Sequence, residues 1–147
     1  MGTDRLADTL DLGPGELRIG GDLPMRELHA RLGRSRAYVH PLRWTSLGLS
    51  LLEAMHVGLP VLALATTEAA RAVPPEAGAI STSIEDLVRM ASRLIDDPDE
   101  ARTRGLAARE AALARYGLAR FLADWDDVLT REPLRHRVLA ATERKAQ

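Results

Sequence analysis

A short apolar run, Val61-Leu62-Ala63-Leu64-Ala65, set between Gly58-Leu59-Pro60 and Thr66, most constrains the fold of this chain. An unbroken apolar run of that length, without alternation, implies a strand covered on both faces, as strands of parallel sheets are. A parallel strand needs a crossover from its neighbour, and the residues before it supply one. Period 3.6 begins at about Ser46 and puts Leu47, Leu51, Ala54 and Met55 on one face, with Gly58 placed to cap the C-terminus and Pro60 to stop the helix. Upstream, Tyr38 and Val39 close a β-favouring run that His40-Pro41 ends, because proline has no N–H for a ladder and biases the residue before it to extended geometry. The stretch from Tyr38 to Thr66, YVHPLRWTSLGLSLLEAMHVGLPVLALAT, therefore reads as strand, polar loop, helix and strand, a βαβ unit.

The polar side of that helix carries the chemistry. Ser50 and Glu53 are spaced i,i+3 and share a face, and helical side chains lean toward the N-terminus, so the Glu53 carboxylate faces back toward the loop. Backbone N–H groups near Leu47, Gly48, Leu49 and Ser50 have no intrahelical partner, and the helix dipole makes that end an anion site. Gly48 admits an anion closely. A diphosphate on those N–H groups and a sugar hydroxyl on Glu53 would together make a nucleotide-sugar site at the C-terminal edge of a parallel sheet. An amphipathic helix with a solvated glutamate fits the spacing equally well.

The segment from Pro41 to Val61, PLRWTSLGLSLLEAMHVGLPV, resembles the most recognisable stretch of the retaining, nucleotide-sugar-dependent glycosyltransferases of GT-B fold, P-S-x-x-E-G-F-G-L-x-x-x-E-A-M-A-x-G-x-P-V. The two align without a gap, and the resemblance extends from about Leu17 to Leu129. It implies that Glu53, matching the second Glu of the family's E-x7-E pair, binds the donor ribose. It also implies that the backbone of Gly48, Leu49 and Ser50 meets donor phosphates and sugar hydroxyls. The first Glu of the pair falls on Thr45, the following Gly on Ser46, and the Ser after Pro41 on Leu42. In the family that first carboxylate lies by the transferred sugar, so the resemblance assigns Thr45 the place nearest the anomeric carbon; a threonine can hydrogen-bond there but supplies no negative field.

The rest of the chain extends the α/β pattern. A helix is expected over Thr3 to Leu12, a short strand at Leu17 to Ile19, a turn at Gly20 to Pro24, and a helix from Met25 to Leu32 with Met25, Leu28 and Leu32 on one face. The resemblance places that turn near the nucleobase, making Gly21 and Leu23 candidates for backbone contact, although a plain strand-to-helix turn explains them as well. Arg43, in the loop beside the anion site, is a candidate for a phosphate, against the plainer reading of a solvated arginine. Trp44 could pack on the sugar, on a partner domain or in the core. Thr66, Thr67 and Glu68 are second-rank donor contacts, with capping of the helix Glu68 to Val73 favoured over ligand binding. Gly78 to Ile80 is a last strand. Thr82-Ser83-Ile84-Glu85 reads as a capping box opening a helix with Ile84, Leu87, Val88, Ala91, Leu94 and Ile95 on its apolar face. Asp97-Pro98-Asp99-Glu100 starts another, with Asp97 as N-cap, and Gly117 closes it after Tyr116. A third helix aligns Leu118, Phe121, Leu122, Trp125, Val128 and Leu129, most simply as core or as a surface docking on a further domain. Residues 130–147 are expected to be a charged, frayed tail.

The expected architecture is thus a Rossmann-like parallel sheet of about four strands with flanking helices and a helical C-terminal third, residues 1–129 forming part of the C-terminal, donor-binding domain of a GT-B enzyme. At 147 residues with a formal net charge of -1, the chain offers no electrostatic case for nucleic acid or an anionic membrane. Cysteine is absent, which excludes disulfides and thiolate metal sites and fits a cytoplasmic location. No apolar run approaches a membrane span. His29, His40, His56 and His136 lack metal-ligand spacing, so neither a metal nor a cofactor is expected, the nucleotide diphosphate sugar being a substrate. The richness in Ala, Arg and Leu suggests a bacterial source. The resemblance implies transfer of a sugar with retention to an acceptor held by an N-terminal domain that these residues do not contain. The alternative is a non-catalytic fragment or pseudoenzyme that binds a nucleotide sugar or a protein partner. An epimerase of the same fold would want further acid/base groups beside Glu53.

Overall fold

A computed structural model describes residues 13, 16, 18, 20–44, 46–66 and 68–145, with side chains as far as residue 131. Among the described residues, three parallel strands lie in the order β1 (Tyr38–His40), β2 (Val61–Leu64), β3 (Gly78–Ser81). Tyr38 pairs with Val61, and Val61 with Gly78. All of β2 is buried, as its unbroken apolar run requires. The expected helix over Thr3 to Leu12 lies outside the described residues, as do Leu17 and Ile19; Arg18 and Gly20 are not in a strand.

The helices are α1 (Met25–Leu32), α2 (Leu49–His56), α3 (Ala69–Ala72), α4 (Ile84–Asp96), α5 (Pro98–Tyr116) and α6 (Leu118–Lys145), with a 3-10 turn at Pro75–Ala77. On one face of the sheet Val61 and Ala63 pack with Leu51 and Met55 of α2, Ala69 and Ala72 of α3, and Ala108 and Ala112 of α5. On the other, Leu62 packs with Leu94 of α4 and Ala101 of α5. The small residues of α5 let its axis come close to the sheet layer, and burying β2 between two such clusters is the main apolar gain of the fold.

Several local expectations hold at residue level. Gly58, at φ +86, ends α2 in a Schellman motif: its N–H donates to Met55 O at 3.0 Å and the Leu59 N–H to Ala54 O at 3.0 Å. Asp97 caps α5, its Oδ1 accepting the Glu100 N–H at 2.8 Å. Others shift. The N-cap of α4 is Ser83 rather than Thr82, and Ser83 Oγ accepts the Asp86 N–H at 3.3 Å; Ser81 and Ser83 engage Asp86 and Glu85, which moves the cap one residue on. Helix α2 begins at Leu49, not Ser46, because Gly48 is extended at φ -73, ψ 131. Backbone helix continues past Leu129 to Lys145.

The apolar faces of the outer helices are less covered than their periodicity suggests. Of the α4 face only Leu94 is buried, while Ile84, Val88 and Ile95 are exposed; Phe121, Leu122, Trp125, Val128 and Leu129 of α6 are exposed as well, which overturns the reading of these aromatics as core. No residue of α1 is buried. Between α4 and the β1–β2 face lies an open groove of about 340 Å³ floored by Val39, Leu62 and Leu64.

Candidate functional site

The N-terminus of α2 follows directly from the loop leaving β1 and stands at the C-terminal edge of the sheet. No side chain caps it. The carbonyl of Gly48 takes the N–H of Leu51 at 3.1 Å and of Leu52 at 3.4 Å, so the first turn is tight, and the N–H groups of Leu49 and Ser50 find no backbone acceptor among the described residues. Ser50 is exposed, and the Leu49 side chain is 76% exposed, leaving that end open to a ligand. Glu53 lies one turn along, half-buried, its carboxylate without a hydrogen bond or ion pair to any described residue.

Beneath this helix end lies a polar group that period and motif do not reveal. His40, at the end of β1, is 2% exposed and is the buried polar residue of the described core. A Cβ placed on Gly48 would lie 3.1 Å from His40 Cε1, so glycine here serves the packing of the imidazole as well as the approach of a ligand. Two residues earlier on the same strand face, Tyr38 donates its hydroxyl to Ser50 Oγ at 2.8 Å, and the same oxygen lies 3.4 Å from His40 Nδ1. The sequence signal for this group is only the Tyr-x-His alternation at the end of a parallel strand.

The other candidates distribute around this centre. Arg43 is exposed and lines the groove on the α4 side with Val39 and Leu64, on the opposite face of the sheet from α2. Trp44 is 92% exposed, which removes the buried-core option. With Arg43, Leu64, Thr66 and Thr82 it borders a second opening of about 340 Å³ at the strand ends. Thr66 does not cap α3; its hydroxyl donates to Leu42 O at 3.1 Å and so ties together the loops that leave β1 and β2. Glu68 is the N-cap residue of α3, without a side-chain cap, and its carboxylate lies 3.5 Å from Arg71. Gly21 takes φ +63 in an exposed turn and Leu23 is half-buried; neither joins the hydrogen-bonded group around Ser50. Thr45 and Thr67 lie outside the described residues. Among the described residues no cluster of His, Asp and Glu is placed to hold a metal, and no helix is long and apolar enough to cross a membrane.

The family model described as glycosyl transferases group 1 matches residues 5–111, an interval that contains β1, β2, β3, α2 and the whole polar group beneath it. The chain belongs to that family. Among solved structures, this glycosyl transferase group 1 chain is similar to a sucrose-phosphate synthase from Thermosynechococcus elongatus, with a TM-score of 0.72 and 26% identity over 94% of its own length. It spans 34% of the length of that protein. No curated protein sequence matches the chain. The family assignment and the three-stranded parallel sheet agree with a GT-B C-terminal domain.

Proposed function

We propose that this chain is the donor-binding portion of a retaining glycosyltransferase that moves a sugar from a nucleotide diphosphate donor to an acceptor. The observation that carries this reading is the uncapped N-terminus of α2 at the strand ends, with the N–H groups of Leu49 and Ser50 open and Glu53 one turn behind them. Oriented N–H groups at the positive end of a helix suit a diphosphate, and a carboxylate with no partner among the described residues suits a ribose diol. Glu53 holds the ribose; Gly48, Leu49 and Ser50 receive the phosphates and sugar hydroxyls; Thr45 stands nearest the anomeric carbon. Catalysis in such a site is chiefly positioning and stabilisation of developing charge. Similarity to one third of a sucrose-phosphate synthase supports a division of labour in which a further, N-terminal domain holds the acceptor.

Calorimetric titration with UDP, ADP and GDP tests the reading. A charge-assisted hydrogen bond to a ribose hydroxyl contributes roughly 1.5–3 kcal/mol, so Glu53→Gln should weaken the tightest of the three by about tenfold or more. Unchanged affinity would return Glu53 to the solvated surface.

A second reading, a non-catalytic binder of nucleotide sugars, is favoured by one specific feature: Thr45 stands where the family motif has its first glutamate. Donor binding without release of free sugar from any sugar nucleotide, in a protein that includes the acceptor domain, would select it.

A further inference from the structure

We propose that His40 and Tyr38 form a hydrogen-bond relay that fixes the direction of the Ser50 hydroxyl and presents its proton to a phosphate oxygen at the N-terminus of α2. The proposal rests on the donor-site reading above and adds to it two positioning residues, which act through Ser50.

The geometry allows two directions for the chain of hydrogen bonds. A phenol has one proton to give. Its oxygen lies 2.8 Å from Ser50 Oγ and 3.4 Å from His40 Nδ1, so the shorter contact carries the phenolic proton, and the phenol, the more acidic of the two hydroxyls, is the donor. The tyrosine oxygen is then left as an acceptor, which requires the imidazole tautomer that bears hydrogen on Nδ1. Ser50 Oγ, already accepting from Tyr38, has its own proton turned outward, to the side where the Leu49 and Ser50 N–H groups also find no backbone acceptor among the described residues. The Ser50 hydroxyl and the Leu49 and Ser50 N–H groups are then all donors toward the phosphate, which is what an oxyanion selects. The reverse direction, Ser50 donating to Tyr38 and Tyr38 to His40 Nδ1, would aim a serine lone pair at the anion.

Burial holds the relay in place. His40 is 2% exposed, fixed on β1 and backed by the Gly48 backbone, while Tyr38 packs against the cluster containing Leu51 and Met55. A network anchored in this way directs a hydroxyl that would otherwise rotate freely.

The relay is tested in the whole chain by two measurements. Nitrogen-15 NMR of the His40 ring should find hydrogen on Nδ1 and a bare Nε2 in the neutral imidazole; hydrogen on Nε2 instead would overturn the relay, with or without a ligand. Titration with UDP, ADP and GDP should then find that Tyr38→Phe weakens the tightest of them about three- to tenfold, within the range of one neutral hydrogen bond. Added to Ser50→Ala, the same substitution should cause no further loss. Additive losses would sink the relay while leaving the donor site intact. If the unmodified chain binds none of the three nucleotides, the donor site fails and the relay falls with it.

Discussion

Gly105 of α5 lies directly against the backbone of Gly58, the glycine that ends α2: a Cβ on Gly105 would fall 2.0 Å from the Gly58 carbonyl oxygen and 3.4 Å from Pro60 Cδ. The contact is reinforced by Arg109, whose Nη1 donates to the His56 carbonyl at 2.7 Å at the C-terminus of α2, where a cation is favoured. Helix α5 thus clamps the far end of the helix whose near end forms the candidate site. The position of the α2 N-terminus depends on a contact at the opposite end of the same rigid element.

Gly105→Ala should therefore destabilise the fold by about 1–3 kcal/mol, the usual cost of overpacking where neither partner is a flexible side chain. Helix propensity would favour the alanine, so the sign itself is informative. Urea denaturation followed by circular dichroism measures it. A variant as stable as the parent would mean that the two backbones can part without loss.

Acid should weaken the link between α5 and its surroundings. The Arg104 guanidinium, bonded to Glu100 Oε1 at 2.8 Å, holds the Glu100 carboxyl below its ordinary value of 4.5, with Arg93 assisting against desolvation. A carboxyl with a lowered folded value contributes stability that is present in full above its unfolded value and is lost as pH falls through the folded one. Glu100→Gln should thus lower the melting temperature at neutral pH, and the gap from the parent should close as acid carries the pH from 4.5 down through the lowered folded value. A gap that persists in acid would assign the effect to packing.

Among the described residues β1 pairs only with β2, and its other edge with the groove beside it predicts association. Val39 is 58% exposed on β1, and Ile84 and Val88 are exposed across the groove. An unpaired strand edge beside apolar surface favours self-association. Residues 1–147 on their own should run heavier than 16.1 kDa in light scattering and should not release sugar from a sugar nucleotide. A well-behaved monomer that hydrolyses its donor would defeat both expectations.

Thr45→Glu, made in a protein that also carries the acceptor domain, should change kcat more than KM, because the proposed place of Thr45 is beside the reacting carbon. An effect confined to KM would move Thr45 away from that carbon and overturn the alignment of the loop.

Much of the framework is readable from local signals. The unbroken run at Val61 to Leu64, the glycine at position 58 and the aspartate at position 97 each report a backbone requirement satisfied within a few residues, and each is found as read. The need for N–H partners at the start of α2 is legible too, as a property of any helix end, but that helix starts at Leu49 and not at the expected Ser46, because Gly48 is extended. Where two capping residues stand side by side, as at Thr82 and Ser83, the local signal fixes the element and not the residue.

What the sequence determined by itself is therefore the order of elements from Met25 onward, the parallel βαβ unit and the family motif that runs through it. Only the tertiary structure decided which distant side chains meet: Tyr38 with Ser50, the His40 ring with Gly48, Gly105 with Gly58, and the exposure of the α4 and α6 apolar faces. Periodicity specifies that a helix has an apolar face, but not what covers it. A hydrogen bond across twelve residues, or a backbone contact across a longer interval, depends on the packing angle of two elements, which no local pattern encodes.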